Sequence, residues 1–314
     1  MKKKMSNNLF GFLVIDKPKA MTSHDCVKRL RKILGIKRIG HGGTLDPSVT
    51  GVLPIAIGNA TRLLTFLPDQ KNYRGLIQLG RTTFTDDLEG EVIAEYKLPN
   101  LTRKMIEKNL ESFIGPIKQK PPVISSIHIQ GERAYKRARR GEKLILPSRE
   151  VTIDKLQLIN WNKTLGQIEI DIKCSSGTYI RSLARDIGNK LNCGGCLAYL
   201  RRTASLGFKE QESFPLPEIN VEVELVFQHI IAPKKCLEHL PFFRLNSEGE
   251  YLKWRTGSQL EISTNRIEGP KQNHSIKKDF NPIVVIGQKG QVEGIASGEN
   301  SNILIPKIVF NAKG

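Results

Sequence analysis

Gly40-His41-Gly42-Gly43-Thr44-Leu45-Asp46-Pro47-Ser48-Val49-Thr50-Gly51-Val52-Leu53 carries one carboxylate, Asp46, in a glycine-rich loop that leads directly into an apolar run. A His lies five residues before the acid and a Pro directly after it. Residues 52–57 read Val-Leu-Pro-Ile-Ala-Ile and predict a buried strand. The loop therefore holds an acid rigidly at the edge of a sheet. An Asp before Pro is by default a turn former, so what this carboxylate does depends on the chain around it.

That chain is strongly basic. Its 314 residues include 49 Lys and Arg against 31 Asp and Glu, a net charge of +18 at pH 7. Such an excess suits a nucleic-acid partner, because neutralising phosphates releases counterions and drives association. An acid held rigidly in this setting suits chemistry on a polyanion better than it suits solubility. With 39% hydrophobic and 25% charged residues, the composition excludes disordered and fibrous classes. The length fits two domains.

The apolar run at residues 9–15 is far shorter than the ~20 residues a membrane span needs, and Asp16 and Lys17 close it. Lys2-Lys3-Lys4 imitates the start of a signal peptide, but no long apolar core follows it. A cytoplasmic location is expected. Five cysteines, Cys26, Cys174, Cys193, Cys196 and Cys236, form an odd, sparse set that fits a reducing compartment. Cys193-Gly-Gly-Cys196 has zinc-type spacing without a second Cys/His pair. It is read as a turn between helix and strand, and no metal is expected.

Hydrophobic spacing gives the elements. Thr22 or Ser23 caps a helix to about Leu34, with Cys26, Val27, Leu30, Ile33 and Leu34 on one stripe and Lys28, Arg29, Arg31 and Lys32 outside it. Residues 73–79 predict a second strand and 82–90 a polar loop. Thr102 caps a helix through about 113, with Met105, Ile106, Leu110 and Phe113 inward. Lys120-Pro121-Pro122 opens an irregular, very basic segment that runs to Arg149. Ile168, Ile170 and Ile172 alternate with polar residues as in a one-sided strand, and Ser175-Ser176-Gly177-Thr178 turns that strand into a helix through Leu191. No βαβ rhythm is present, so an α+β fold with a mixed or antiparallel central sheet is expected. Short strands at 242–245, 282–286, 292–296 and 303–310 predict a small β-rich C-terminal domain, with a polar loop at 265–280.

The glycine-rich loop is one of an ordered set. Asp16-Lys17-Pro18 and Thr22-Ser23-His24 precede it, and Gly58-Asn-Ala-Thr-Arg62, Lys71-Asn-Tyr73 and Gly80-Arg-Thr-Thr-Phe-Thr-Asp86 follow. Then come Gln119-Lys-Pro-Pro-Val-Ile-Ser-Ser126, Ala134-Tyr135, Ala138-Arg139, Gly141-Glu142, Pro147-Ser-Arg149, Ser176-Gly-Thr-Tyr-Ile-Arg181 and Leu200-Arg-Arg-Thr203. This succession, over roughly residues 10–207, closely resembles the bacterial tRNA pseudouridine-55 synthase family, the TruB type; any one motif alone would be weak.

The resemblance implies a pseudouridine-synthase catalytic fold over residues 1–236, with a basic RNA-clasping insert at about 121–150. It also implies a PUA-like RNA-binding domain over 237–314, on looser matches at Leu237-Glu-His-Leu-Pro241, Gly257 and Lys307-Ile-Val-Phe310. The implied reaction isomerises the T-loop uridine of tRNA, position 55, to pseudouridine. Nothing is oxidised and no group enters, so no cofactor is expected.

By the same resemblance Asp46 is the nucleophile, attacking uracil C6 or ribose C1′ once the base is flipped. Arg181 pairs with it. Tyr73 stacks on the uracil and manages a proton. Tyr179 and Leu200 line the same pocket, and His41 enters the T-loop to replace extruded bases. Lys17 and the basic segment, including Arg137 and Arg149, contact phosphates. The expected partner is the T-arm stem-loop, handled by a monomer that requires no protein partner. A tRNA-folding chaperone role fits the same surface, and the basic insert speaks against the guide-RNA-dependent relatives.

Overall fold

The strand Gly11–Lys17 is apolar on both faces, and its alternate residues serve two different cores. Leu13 and Ile15 pack with Leu53, Ile55 and Ile57 under one helix. Phe12 and Val14 pack with Val52 and Ala56 on the other side. The computed structural model describes residues 9–125, 127–129, 131–142, 144, 146–270, 281–298 and 302–312. Most of the loop expected at 265–280 therefore lies outside the described residues, as does Ser126 of the basic segment.

The chain divides into two compact units. One comprises Met1–Asp46, Val52–Asp69 and Ser205–Gly314; the other comprises Pro47–Gly51 and Gln70–Ala204. In the first unit the strand Gly11–Lys17 pairs in parallel with Phe214–Pro215. Ile39–His41 pairs antiparallel with the last residues of Thr50–Ile57, setting His41 opposite Ile55. The helix Ser23–Leu34 covers this sheet with the stripe read from the sequence. Its start is fixed by a capping box: Thr22 Oγ1 accepts from Asp25 N–H, and the Asp25 carboxylate accepts from Thr22 N–H. Its end is Gly35 in the left-handed region.

The C-terminal part of this unit is a six-stranded sheet in the order Leu260–Glu261, Ile303–Val309, Val292–Gly298, Pro282–Ile286, Phe242–Arg244 and Ile267–Glu268. Phe242–Arg244 and Pro282–Ile286 run parallel; the other pairs are antiparallel. A helix absent from the sequence expectation, Glu248–Arg255, places Trp254 fully inside, its Nε1 donating to the Glu293 carbonyl at 3.1 Å. Gly294 is required beneath it, because a Cβ there would lie 1.9 Å from the Ile308 carbonyl oxygen.

In the second unit the strands lie in the order Gly195–Ser205, Gln70–Leu79, Gln167–Ser175, Arg149–Asn162 and Gly115–Gln119. The last four are antiparallel. Thr50 and Gly51 pair in parallel with Arg201 and Arg202, which makes the sheet mixed. Ile168, Ile170 and Ile172 are buried as their alternation requires. The helix Ile180–Lys190 follows, burying Ile180, Leu183, Ala184 and Ile187. Cys193 is buried in the turn from this helix to the next strand and Cys196 in the start of that strand, and no group of metal-ligating residues occurs among the described residues.

Three expectations are corrected. The fourteen-residue strand Arg149–Asn162 is the longest of this sheet, and the spacing gave it no element. The segment read as a loop from 82 begins as a hairpin, Arg81–Thr83 against Val92–Glu95. The helix capped by Thr102 covers only Arg103–Glu111, and Met105 is half exposed rather than inward.

Candidate active site

The first unit presents Asp46 from a loop that is tied at three points. His41 is fixed by its hairpin register, and Gly42 N–H donates to the Pro54 carbonyl at 2.8 Å. Leu45 is buried, and its N–H donates to Ser23 Oγ at 2.8 Å. Ser23 is itself buried at the first turn of the helix, so the helix start positions the residue that precedes the acid. Gly43 has φ 137, a conformation that favours glycine. Its N–H donates to His41 Nδ1 at 3.3 Å, which leaves the neutral ring's proton on Nε2. Asp46 and His41 are both half-buried.

Lys17 is placed differently from its expected role. Its side chain is 0% exposed, and its Nζ donates to the carbonyls of Pro18 and Met21 at 2.7 Å each. It staples the turn that leads into the Thr22 cap. A phosphate contact needs an ammonium at the surface, and this one is turned inward.

In the second unit Tyr73 occupies the strand Gln70–Leu79 opposite Ile172 and is largely buried. Two residues along the same face, Gly75 leaves room for Leu200, whose Cδ1 would lie 3.4 Å from a Cβ at that position. Tyr73 and Leu200 thus lie on neighbouring strands of one sheet. Arg202, two residues beyond Leu200, hydrogen-bonds the Tyr73 side chain from a fully buried position.

Arg181 lies in the first turn of Ile180–Lys190 and is buried rather than exposed. Its Nη1 and Nη2 donate to the carbonyls of Thr85 and Ile124 at 3.0 Å each, and Nη1 stands 3.5 Å from Asp87 Oδ2. Asp87 is fixed in turn by Thr85 Oγ1 at 2.5 Å and by Glu89 N–H at 3.1 Å. The neighbouring Asp86 accepts from Arg185 at 2.8 Å, and burial still pushes its carboxyl above the usual range.

Tyr179 caps the same helix, half-buried, with the Arg149 guanidinium 5.3 Å from its ring centroid. Gln119, fully buried, bonds both backbone groups of Tyr179. In the insert Arg137 is ion-paired with Glu142 at 2.6 Å, and Arg140 with Glu132 and Glu142 at 2.7 Å. These contacts hold both carboxyls below their usual range. Asp87, Gln119 and Arg202 were not singled out from sequence, and Ser23 only as a helix cap, although all but Asp87 lie inside motifs quoted above.

A family model described as "TruB family pseudouridylate synthase (N terminal domain)" matches residues 31–180, and one described as "tRNA pseudouridylate synthase B C-terminal domain" matches residues 181–235. A protein of Prochlorococcus marinus (strain MIT 9313) named tRNA pseudouridine synthase B is 50% identical over 317 residues, covering 97% of this chain and 99% of its own. One of the same name from Parasynechococcus marenigrum (strain WH8102) is 49% identical, covering 97% and 99%. Among solved structures, an H/ACA RNP bound to a substrate RNA containing 2′-deoxyuridine has TM-score 0.70 at 24% identity, covering 98% of this chain and 87% of the other. A Cbf5–Nop10–Gar1 complex has TM-score 0.70 at 24% identity, covering 99% and 86%. At that identity these two carry the fold alone.

Proposed function

The chain belongs to the TruB family of pseudouridylate synthases, and from that premise we propose that it isomerises the T-loop uridine of tRNA, position 55, to pseudouridine. The observation that carries this reading is identity near one half along essentially the whole length of relatives named for that activity. The reaction breaks the bond between ribose C1′ and uracil N1, turns the base, and joins C1′ to C5. The C5 hydrogen leaves as a proton and N1 gains one, so the formula of the RNA is unchanged.

Asp46 is the nucleophile, presented by a loop that its glycine geometry and the Ser23 clamp keep rigid. Arg181 serves as its ionic partner and is already desolvated, a setting in which a charge contact is stronger than at a surface. Tyr73 supplies the ring that stacks on the flipped uracil, with Leu200 packed beside it and Tyr179 a further wall. His41 replaces extruded bases in the T-loop. Arg149 and Arg137 are the phosphate contacts retained from the basic segment, and Arg137 exchanges Glu142 for phosphate when RNA binds. Residues 237–314 act as the PUA-like RNA-binding part of a monomeric cytoplasmic enzyme.

Transcripts labelled with tritium at uridine C5 test this reading. The wild type is expected to release label from a T-arm hairpin and from none whose target uridine is replaced by cytidine. Absence of release by the wild type, or equal release by Asp46→Asn, overturns it.

A further inference from the structure

Arg202 is a guanidinium with 0% exposure, held inside the second unit. Its backbone runs beside Gly51 in parallel register, so closely that a Cβ on Gly51 would lie 2.2 Å from the Arg202 carbonyl oxygen. A buried cation is expensive, and a well-packed apolar side chain of similar volume commonly serves stability as well or better. A buried guanidinium is therefore weak evidence of a purely stabilising role. The strand alternation sends Arg201 outward, where its Nη1 lies 3.5 Å from Thr50 Oγ1, and turns Arg202 toward the strand of Tyr73.

The Arg202 side chain hydrogen-bonds that of Tyr73. Arginine has only donors, so the Tyr73 oxygen accepts, and the phenolic hydrogen must point away from the guanidinium. Leu200, two residues before Arg202, approaches Gly75, two residues after Tyr73, on the neighbouring strand. Burial is the main cause that lowers the Arg202 pKa, and Tyr73 opposes it in part.

We propose that Arg202 is the positioning residue that orients the Tyr73 hydroxyl. Fully buried, it acts through that hydroxyl rather than on the RNA. The proposal rests on the assignment of Tyr73 to the reaction made above, and adds that the hydroxyl, not the ring alone, matters.

A double-mutant cycle tests it, with single-turnover tritium release from the T-arm hairpin as the readout and hairpin affinity and melting temperature as controls. Arg202→Met is expected to slow release by about tenfold or more when Tyr73 is present, with affinity within about threefold. In a Tyr73→Phe background the same change is expected to alter the rate by less than about twofold, because no hydroxyl remains to orient. An equal slowing in both backgrounds would mean that Arg202 only supports the fold, and overturns the proposal. Should Arg202→Met fail to fold, the cycle is run with Arg202→Lys, which keeps the charge and loses the planar fork; the same coupling is expected, and equal effects again overturn it. A wild type without activity refutes the synthase assignment. An active wild type matched by Tyr73→Phe, which keeps the ring, refutes this inference alone.

Discussion

Gln119 and Tyr179 meet as a reciprocal pair: the Gln119 amide donates from Nε2 to the Tyr179 carbonyl at 3.1 Å and accepts from the Tyr179 N–H at Oε1, 2.8 Å. A side chain thus takes the place of a strand neighbour where the chain leaves Gln167–Ser175 and enters the helix carrying Arg181. Because Gln119 is fully buried, no water can replace it without rearrangement.

Gln119→Ala leaves two backbone groups of Tyr179 without that partner, a loss of about 1–3 kcal/mol. Gln119→Glu keeps the acceptor and loses the donor, and is expected to be destabilising as well. Thermal unfolding measures the stability, and label release is expected to fall more than hairpin affinity, since the Tyr179–Arg181 segment is what the amide holds. Melting and release unchanged in both variants would remove Gln119 from this role.

Asp87 stands 3.5 Å from Arg181 with only 14% of its side chain exposed, and is itself fixed by Thr85 and Glu89. Asp87→Asn removes the charge at nearly constant shape. Arg181 keeps its bonds to the Thr85 and Ile124 carbonyls but loses the carboxylate charge 3.5 Å from its Nη1. Single-turnover release is expected to slow about tenfold or more, with hairpin affinity within about threefold. A variant that binds weakly but converts bound RNA at the wild-type rate would place Asp87 in RNA binding instead.

The elements legible in the sequence are those whose signals are local. The Thr22 capping box, the apolar stripe to Leu34 and the closing Gly35 lie within fourteen residues of one another, and the strand Pro282–Ile286 is an uninterrupted apolar run. Arg149–Asn162 escaped because its alternation changes phase. Val151 and Ile153 are buried, then Leu156 and Leu158, and the register shifts between Ile153 and Lys155 account for the slip. At the site, the loop drew attention to Asp46, but its expected role came from the resemblance carried by the whole set of motifs. Lys17 and Arg202 were not legible, since a charged residue reads as exposed and only three-dimensional packing turns these two inward. Asp87 gave no signal at all beside Asp86, because which acid faces Arg181 and which faces Arg185 is decided by a turn, with Asp86 at φ 60.

The cysteines are expected to be inert. Burial pushes Cys196 up to about 11 and Cys236 to about 12, and raises Cys26 and Cys193 as well. Thiolate is the reactive form, so alkylation in the native protein at pH 8 is expected to be about 100-fold slower than for a free thiol at Cys196 and about 1000-fold slower at Cys236. Iodoacetamide labelling followed by peptide mass analysis reads each site, and denaturation should release all of them. Rapid labelling of Cys193 and Cys196 in the folded protein would instead mark this pair as a reactive dithiol.

Beside the C-terminal sheet, Glu250 of the helix Glu248–Arg255 accepts from both ends of the Arg266 guanidinium and from Asn246 N–H at 2.8 Å. The hydrogen bond from Arg266 is the main cause holding its carboxyl below the usual 4.5, outweighing burial. The folded-state value therefore lies below the unfolded one, so the stabilisation is present above about pH 4.5 and disappears as pH falls through the folded value. Glu250→Gln is expected to speed hydrogen exchange in the described strands 242–244 and 267–268 at pH 7, by an amount worth no more than about 1 kcal/mol, because both groups are partly exposed and screened. Below the folded-state value of Glu250 the two proteins should converge, since the wild-type carboxyl is then neutral. A difference that persists unchanged into acid would show that packing, not the ion pair, holds this corner of the sheet.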